Sequence, residues 1–447
     1  MTAKMYDVIV LGSGPAGGTV ARMCAESGLD TALVESRGWG GVCPLRGCEP
    51  KKVLVDAAQT VARAADMRGH GVAGRLTLDW PELMRFKRSF TEPISDAVRG
   101  SLNKSGIETF AGEAGFAGPN AIRFEDHDPL HARQICIATG ASPRPLDIPG
   151  EELIALSEQF LELEALPESL VFIGGGFVSF EFATVAAGAG AKVTLLHRSE
   201  RMLKPFDPDL ADKAVQGLRD AGVEVLTNHP VHAVERDGEG VVVLAGERRF
   251  PVAMAVHGAG RVPNIEGLEL ERGGVEASPR GVTVNEYMQS VSNPTVFAAG
   301  DCVEPGFPLT PTSVIQAVAA AKNIIHGRKV RADLRGSAIV VFTHPPLARV
   351  GLLEEEAREQ NFDIEVIAGD AAGWSEHKRL GVVHAGYKVL AERGSGRILG
   401  AHYLGHNAEE AANVFGLAVR YGLTVDDLLA QPWAYPSFGY AARYMLA

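Results

Sequence analysis

Tyr6-Asp7-Val8-Ile9-Val10-Leu11-Gly12-Ser13-Gly14-Pro15-Ala16-Gly17 is the stretch on which the fold turns. Its first half reads as a short buried strand and its second half is a G-x-G-x-x-G loop. Residues 19–27 follow as a helix, and Thr31-Ala32-Leu33-Val34 as a second strand ending at Glu35. In such a βαβ unit the first glycine makes the turn. The second lets backbone N–H groups approach a pyrophosphate, and the third packs helix on strand. Gly12, Gly14, Pro15, Ala16 and Gly17 are therefore candidate dinucleotide contacts. Glu35 is placed for ribose hydroxyls; the plainer reading of it is an exposed acid at a strand end.

The same grammar recurs about 160 residues later. Ser169-Leu170-Val171-Phe172-Ile173 is a strand, Gly174-Gly175-Gly176 a turn, residues 177–188 a helix and Lys192-Val193-Thr194-Leu195-Leu196 a second strand. Gly174 and Gly176 are retained, and Ser179 stands at the third position. The second strand ends at His197 with no acid, followed by Arg198, Arg201 and Lys204. An acid there would favour a free 2′-hydroxyl, whereas arginine accommodates a 2′-phosphate. The reading is NADPH in preference to NADH, against a solvated basic loop whose charge Glu200 tempers. Two such units, and alternating short strands and helices after about residue 336, give an α/β chain with a separate α+β C-terminal part. Residues 53–67 and 80–102 read as helical, and residues 142–150 as a linker.

Of 447 residues, 43 are Lys or Arg and 55 are Asp or Glu, a formal charge of −12. That balance argues against broad nucleic-acid binding. No apolar run reaches the roughly 18 residues of a membrane span, and no signal peptide is visible at the start. The expectation is a cytoplasmic protein with neither nucleic-acid nor membrane partners. The 51 glycines suit backbone that must approach ligands closely.

The five cysteines are Cys24, Cys43, Cys48, Cys136 and Cys302. An odd, sparse set does not make a secreted disulfide framework. Cys43-Pro44-Leu45-Arg46-Gly47-Cys48 is the sharpest feature. In a regular helix, residues five apart have Cα atoms roughly 8–9 Å apart, and a disulfide closes below about 7 Å. The pair can close only where the backbone leaves a straight helix, which Pro44 and Gly47 permit. Arg46, Lys51 and Lys52 add positive charge that should favour a thiolate. The alternatives are two buried thiols or half a zinc site. Zinc needs two further ligands and no second cysteine pair is available, so no metal ligand is assigned. Cys24, Cys136 and Cys302 read as core residues, Cys302 lying beside Asp301.

With these residues in view the chain resembles, over essentially its whole length, the flavin-dependent pyridine nucleotide–disulfide oxidoreductases of the glutathione reductase, dihydrolipoamide dehydrogenase and mercuric reductase group. The resemblance is carried by the stretch from Gly40-Gly41-Val42-Cys43 to Cys48-Glu49-Pro50-Lys51-Lys52, and by Ala138-Thr139-Gly140-Ala141. Val296-Phe297-Ala298-Ala299-Gly300-Asp301, Leu309-Thr310-Pro311 and Val341-Phe342-Thr343-His344-Pro345-Pro346 add to it. It implies two Rossmann-like dinucleotide-binding domains plus a C-terminal α+β dimerisation domain. The expected division is an FAD-binding domain at 1–150, an NAD(P)H-binding domain at 151–280, a return to the FAD or central domain at 281–335 and an interface domain at 336–447.

The resemblance also implies roles. The first glycine motif and Glu35 would hold FAD, with Asp301 at its ribityl–phosphate region. Gly41, Val42, Lys52, Thr139, Gly140, Gly300, Leu309 and Thr310 would be further cofactor contacts. Cys48 would be the flavin-proximal, charge-transfer sulfur, and Cys43 the interchange sulfur that attacks substrate. Lys51 would sit near flavin N5, paired with Glu181, and Phe177 would gate the nicotinamide pocket. Independently, Lys51 lies about one turn beyond Cys48, placed to stabilise an anionic reduced flavin. The plainer reading of Glu181 is an exposed helix acid, which its apolar neighbours Phe180, Phe182 and Ala183 oppose.

One departure matters. Thiol-regenerating members carry a C-terminal His-Pro followed by a Glu that orients the His. Here the stretch is Tyr435-Pro436-Ser437-Phe438-Gly439-Tyr440, so Tyr435 replaces the His and Tyr440 the Glu. An unperturbed tyrosine, titrating near 10, is a poor base at neutral pH but donates a proton or hydrogen bond. The family's C-terminal segment lies over the disulfide of the other subunit, so both tyrosines would line that pocket in a homodimer. His377, His384, His402 and His406 are the remaining candidate acids. The chain also lacks a terminal cysteine pair and an N-terminal metal-binding extension, so metal delivery by the mercuric reductase route is not expected.

The expected function is an NAD(P)H:disulfide oxidoreductase-type flavoenzyme passing electrons from NADPH through FAD to Cys43–Cys48, and on to a low-molecular-weight disulfide or other electrophile. The alternatives are an NADPH-dependent reductase of quinones, metal ions or oxyanions, and a non-enzymatic redox-sensing flavoprotein.

Overall fold

Residues 4–124 and 128–447 are described by a computed structural model of the chain, which divides into two compact units. The first unit comprises Met1–Lys51, Phe86–Arg144 and Arg261–Leu334. Its central strand is Met5–Leu11, in which Val8, Ile9, Val10 and Leu11 are all buried. A strand buried on both faces must be a continuous apolar run, and each such side chain contributes about 1.5–3 kcal/mol on leaving water. Thr31–Glu35 and Leu130–Ile137 flank it in parallel, Glu108–Ala111 extends one side, and Val296–Ala298 pairs with Leu130–Ile137. An antiparallel hairpin, Ala114–Gly118 and Ala121–Phe124, completes this sheet.

The first glycine loop has the expected geometry. Gly12 has φ +98°, and a Cβ there would stand 2.5 Å from the Ala138 carbonyl oxygen. A Cβ on Gly17 would meet the Gly12 oxygen at 1.9 Å, so the helix Pro15–Glu26 packs at a distance only glycine allows.

The second unit comprises Lys52–Arg85, Pro145–Gly260 and Arg335–Ala447. It repeats the pattern: Ser169–Ile173 lies between Lys192–Leu196 and Met254–His257, all parallel, with Glu224–Leu226 outside. The helix Phe177–Gly188 begins at the second glycine turn. Ser179 keeps its close packing because the facing residue is Gly258, where a Cβ would lie 2.0 Å from Ser179 Oγ. A three-stranded antiparallel sheet, Val231–Asp237, Gly240–Ala245 and Arg248–Val252, follows. The C-terminal part is a five-stranded antiparallel sheet in the order Ala338–Val341, Leu347–Gly351, Ile398–Leu404, Gly386–Glu392, Ile364–Asp370, against which Ala408–Tyr421 packs. Its helix buries Ala408, Ala411, Ala412, Phe415 and Ala418, a spacing of three and four.

Three local details differ from the sequence reading. The helical stretch 80–102 is two helices, Trp80–Thr91 and Ile94–Lys104, because Pro93 interrupts it. The expected linker begins as a strand, Ala141–Pro143, paired with Arg261–Pro263. The antiparallel strands between 231 and 252 had no separate signal. Among the described residues no helix is long and apolar enough to cross a membrane.

Candidate active site

The cysteine segment breaks where expected. Val42–Arg46 is a short helix, Gly47 has φ −139° and ψ −112°, and a new helix starts at once, Cys48–Asp66. A Cβ on Gly47 would come within 2.9 Å of the Val42 carbonyl oxygen, so the break depends on glycine. The segment is docked on the first glycine motif. Ser13 Oγ accepts the Gly40 N–H at 2.9 Å and donates to Glu35 Oε2 at 2.6 Å. Gly41, with φ +75°, would place a Cβ 2.6 Å from Gly14 Cα. Glu35 also accepts the N–H groups of Ser13 and Arg37. It is thus a fixed acceptor beside the loop rather than a loose surface acid.

Both cysteines are thiols, and a single hydroxyl gathers them. Thr310 Oγ1 donates to Cys43 Sγ at 3.2 Å and lies 3.7 Å from Cys48 Sγ. Thr310 is the first residue of the 17-residue helix Thr310–His326, so the sulfurs stand at its positive end. The neighbouring Cys48 sulfur and then burial push the Cys43 thiol well up, and the Thr310 hydroxyl opposes them only in part. Sequence reading gave Thr310 to the cofactor and missed its place at the sulfurs; its position opening a helix was the available signal.

Asp301 sits in the same unit, half-enclosed, and burial raises its carboxyl above the usual range against the Ser313 hydroxyl, which donates at 3.3 Å. Gly300 N–H is fixed by Gln316 at 3.0 Å. Thr139 and Gly140 lie in the loop after Leu130–Ile137, where Asn264 bonds both of their carbonyl oxygens. Leu309 is the residue before the Thr310 helix. These residues fit a dinucleotide. The glycine helix has no side-chain cap at its N-terminus, which leaves its first N–H groups to a phosphate, and the cradle at Gly14 and Gly41 is one that a Cβ would fill.

The second unit holds the remaining candidates. The helix Phe177–Gly188 is likewise uncapped at Gly176. Phe177, its first residue, is exposed. His197 is held neutral by burial, with Arg198 and Lys204 both close enough to press its pKa down further. Both cations are exposed, whereas Arg201 is taken up by Glu355 and by the Phe206 carbonyl oxygen.

Glu181 is buried, at 1% exposure. Glu181 Oε2 is paired with Lys52 Nζ at 2.8 Å. Lys52 Nζ also lies 3.4 Å from the Phe342 ring centroid, and Glu181 Oε1 accepts the Phe342 N–H at 3.0 Å. Lys52, expected at the cofactor, is thus engaged by an acid and a ring of its own unit. Lys51 is itself buried.

Tyr435 and Tyr440 stand together, ring centroids 5.1 Å apart, with Tyr435 largely exposed. The other candidate acids have partners. His402 is fully buried, His384 pairs with Asp220 at 2.6 Å, and His406 packs edge-on to Phe438. His377 is bound to the Ala371 carbonyl and to Tyr403. His344, not singled out as an acid, pairs with Asp66 at 2.6 Å beside a small recess that Met67, Pro345 and His406 also line.

Residues 6–321 match the family described as "Pyridine nucleotide-disulphide oxidoreductase", and residues 337–445 match that family's dimerisation domain. The chain is 29% identical to the glutathione reductase of Nostoc sp. over 97% of each chain. It is 30% identical to the mercuric reductase of Staphylococcus aureus, over 95% of this chain and 78% of that one. Among solved structures, the HOCl-induced flavoprotein disulfide reductase RclA from Escherichia coli superposes with a TM-score of 0.89 at 27% identity, covering 99% of both chains. A Cu(II) complex of RclA matches with a TM-score of 0.87. The chain belongs to the pyridine nucleotide-disulphide oxidoreductase family: it is a flavin-dependent enzyme of disulfide oxidoreduction, with FAD and a pyridine nucleotide as cofactors.

Proposed function

We propose that this oxidoreductase takes hydride from NADPH and delivers the electron pair, through Cys43 and Cys48, to a low-molecular-weight disulfide. The observation that carries the reading is the sharing of one hydroxyl by the Cys43 and Cys48 sulfurs at a helix N-terminus, in the unit that holds the first glycine motif. FAD, when bound, supplies the two-electron relay between nicotinamide and sulfur. The division into domains at 1–150, 151–280, 281–335 and 336–447, in a cytoplasmic homodimer, belongs to the same reading. It is supported by the dimerisation-domain match and by five cysteines with no disulfide framework.

The chain's own residues divide the work. Gly12, Gly14, Pro15, Ala16, Gly17, Glu35, Gly41, Val42, Thr139, Gly140, Gly300, Asp301 and Leu309 would hold FAD, with Lys51 at its reactive end. Gly174, Gly176, Phe177, Arg198 and Lys204 would hold NADPH, the two cations on the 2′-phosphate. Cys43, once deprotonated, attacks one sulfur of the substrate: the Cys43–substrate S–S bond forms as the substrate S–S bond breaks, and the leaving thiolate takes a proton. Cys48 then attacks Cys43, which releases the second thiol and restores the Cys43–Cys48 bond. Tyr435, positioned by Tyr440, donates the hydrogen bond or proton that a histidine gives elsewhere in the family. Thr310 stabilises the sulfur anion at each exchange.

Anaerobic titration with NADPH tests the reading. The enzyme should accept twice the hydride equivalents of its flavin, and C43S should accept only the flavin's share. Equal capacity in both would remove the sulfur pair from the path. R198A should lower kcat/KM for NADPH and leave NADH unchanged.

A second reading, reduction of a metal ion such as Cu(II), of a quinone or of an oxyanion, is favoured by the Tyr at 435, since such acceptors release no thiolate. The Cu(II) complex of RclA points the same way. Retention of acceptor turnover in C43S would select direct transfer to such an acceptor over disulfide exchange.

A further inference from the structure

The C-terminal part contains a run of oxidisable rings that extends inward from the Tyr435–Tyr440 pair. Tyr435, exposed at 70%, stands 5.1 Å from Tyr440 between ring centroids. Tyr440 is 5.0 Å from Tyr444, and Tyr444 is 5.3 Å from Trp374. Trp374 lies near-parallel to Tyr403 at 6.3 Å and to His377 at 6.0 Å. These separations are those of rings in or near van der Waals contact. Electron tunnelling decays exponentially with the gap, so such rings form a continuous relay from Tyr435 to the interior.

The inner end is built for removal of an electron together with a proton. Tyr403 is 3% exposed and its hydroxyl is 3.1 Å from His377 Nε2. His377 Nδ1 lies 2.7 Å from the Ala371 carbonyl oxygen, which can only accept. Nδ1 therefore carries the ring proton, and Nε2 presents a lone pair to the Tyr403 O–H. Next to His377, Glu376 is buried at 2%, and its Oε2 makes no hydrogen bond. Burial holds His377 below the usual imidazole range, leaving Nε2 unprotonated, with the Ala371 carbonyl and Glu376 opposing in part; burial, then Glu376, pushes the Tyr403 phenol up. Gly405 closes the pocket: a Cβ there would stand 2.6 Å from the Tyr403 oxygen and 2.8 Å from His377 Nε2.

We propose that Tyr403, hydrogen-bonded to His377 at the buried end of the ladder that starts at Tyr435, is a redox-active tyrosine that takes up oxidising equivalents from one-electron oxidants that reach Tyr435. The oxidant gains one electron, drawn through Tyr435, Tyr440, Tyr444 and Trp374. The Tyr403 O–H bond breaks as its proton passes to His377 Nε2, leaving a neutral tyrosyl radical and an imidazolium facing Glu376. A thiol or ascorbate-type reductant returns the electron by the same rings, and the proton goes back to the phenol. The oxidising equivalent is held away from bulk solvent, where exposed tyrosyl radicals couple.

Rapid mixing of the FAD-loaded enzyme with hexachloroiridate(IV), freeze-quenching and high-field EPR test this. Wild type should show a neutral tyrosyl radical whose largest g component is lowered by a hydrogen bond from a cationic donor. Y403F should lose that signal, leaving only the short-lived signal of exposed tyrosines. W374F, which removes the oxidisable ring in the middle, should lower its yield while flavin content is retained. Absence of the hydrogen-bonded signal in wild type overturns the proposal without reference to any variant. A spectrum and yield in Y403F or W374F equal to wild type would overturn it as well.

Discussion

The hydroxyl of Thr310 donates to the sulfur of Cys43 across 3.2 Å. It opposes the two influences that keep Cys43 protonated, the Cys48 sulfur and burial. A hydrogen bond to a charged group contributes about 1.5–3 kcal/mol, so T310V should move alkylation of Cys43 in the NADPH-reduced enzyme to higher pH and slow it roughly tenfold or more at neutral pH. T310S, which keeps the donor, should restore the wild-type profile. An unchanged iodoacetamide pH profile in T310V would show that the hydroxyl does not serve the sulfur.

Lys52 and Glu181 form a pair in which the acid is at 1% exposure and the amine at 27%. K52M removes a cation from the buried carboxylate and should cost about 2–3 kcal/mol, somewhat less than a fully buried pair because Lys52 keeps some solvent. K52M/E181Q should recover most of this loss, since glutamine still accepts the Phe342 N–H without a buried charge. Denaturant midpoints of the three proteins decide it; a double variant no more stable than K52M contradicts the argument.

Burial pushes His402 down to about 3, from the 6.5 it would have in an unfolded chain. Its Nε2 donates to the Leu352 carbonyl, and its Nδ1 has no partner, so a second proton would bury an unpaired donor. Between those pH values the unfolded chain binds a proton that the native chain refuses. Stability is therefore lost as pH falls from about 6.5 towards about 3, at up to roughly 1.4 kcal/mol per pH unit. H402Q should flatten this limb of the thermal-unfolding profile; an identical slope would assign the acid sensitivity to other groups.

Ser179 occupies the third glycine position of the second motif because Gly258 faces it. G258A should destabilise by roughly 1–3 kcal/mol through overpacking and weaken NADPH binding with it. S179G/G258A, which moves the missing side chain across the same contact, should regain most of both. Calorimetry with dye-free NADPH titration reads the pair, and additive losses would mean that the two positions do not share one space.

How far the sequence could be read depended on the range of the forces involved. Both βαβ units, the break at Gly47 and the burial of Glu181 were legible, because an apolar run, a glycine turn and helical periodicity act over a few neighbouring residues. The loss of the His-Glu pair to Tyr435 and Tyr440 was visible in the same way. That Lys52 meets Glu181 was not legible, because the rotation of its helix against Phe177–Gly188 is set only on packing. Nor was the state of Cys43. The Cys48 sulfur and the enclosure that push its thiol up come from the folded chain. Thr310 lies 267 positions from Cys43, and Trp374, Tyr403 and Tyr444 are scattered through the last part of the chain. Local grammar determined the two dinucleotide folds and the cysteine couple. The donor at the sulfurs, the partner of Glu181 and the aromatic ladder were decided only when distant segments packed, since hydrogen bonds and ring contacts reach a few ångströms in space and carry no mark in sequence separation.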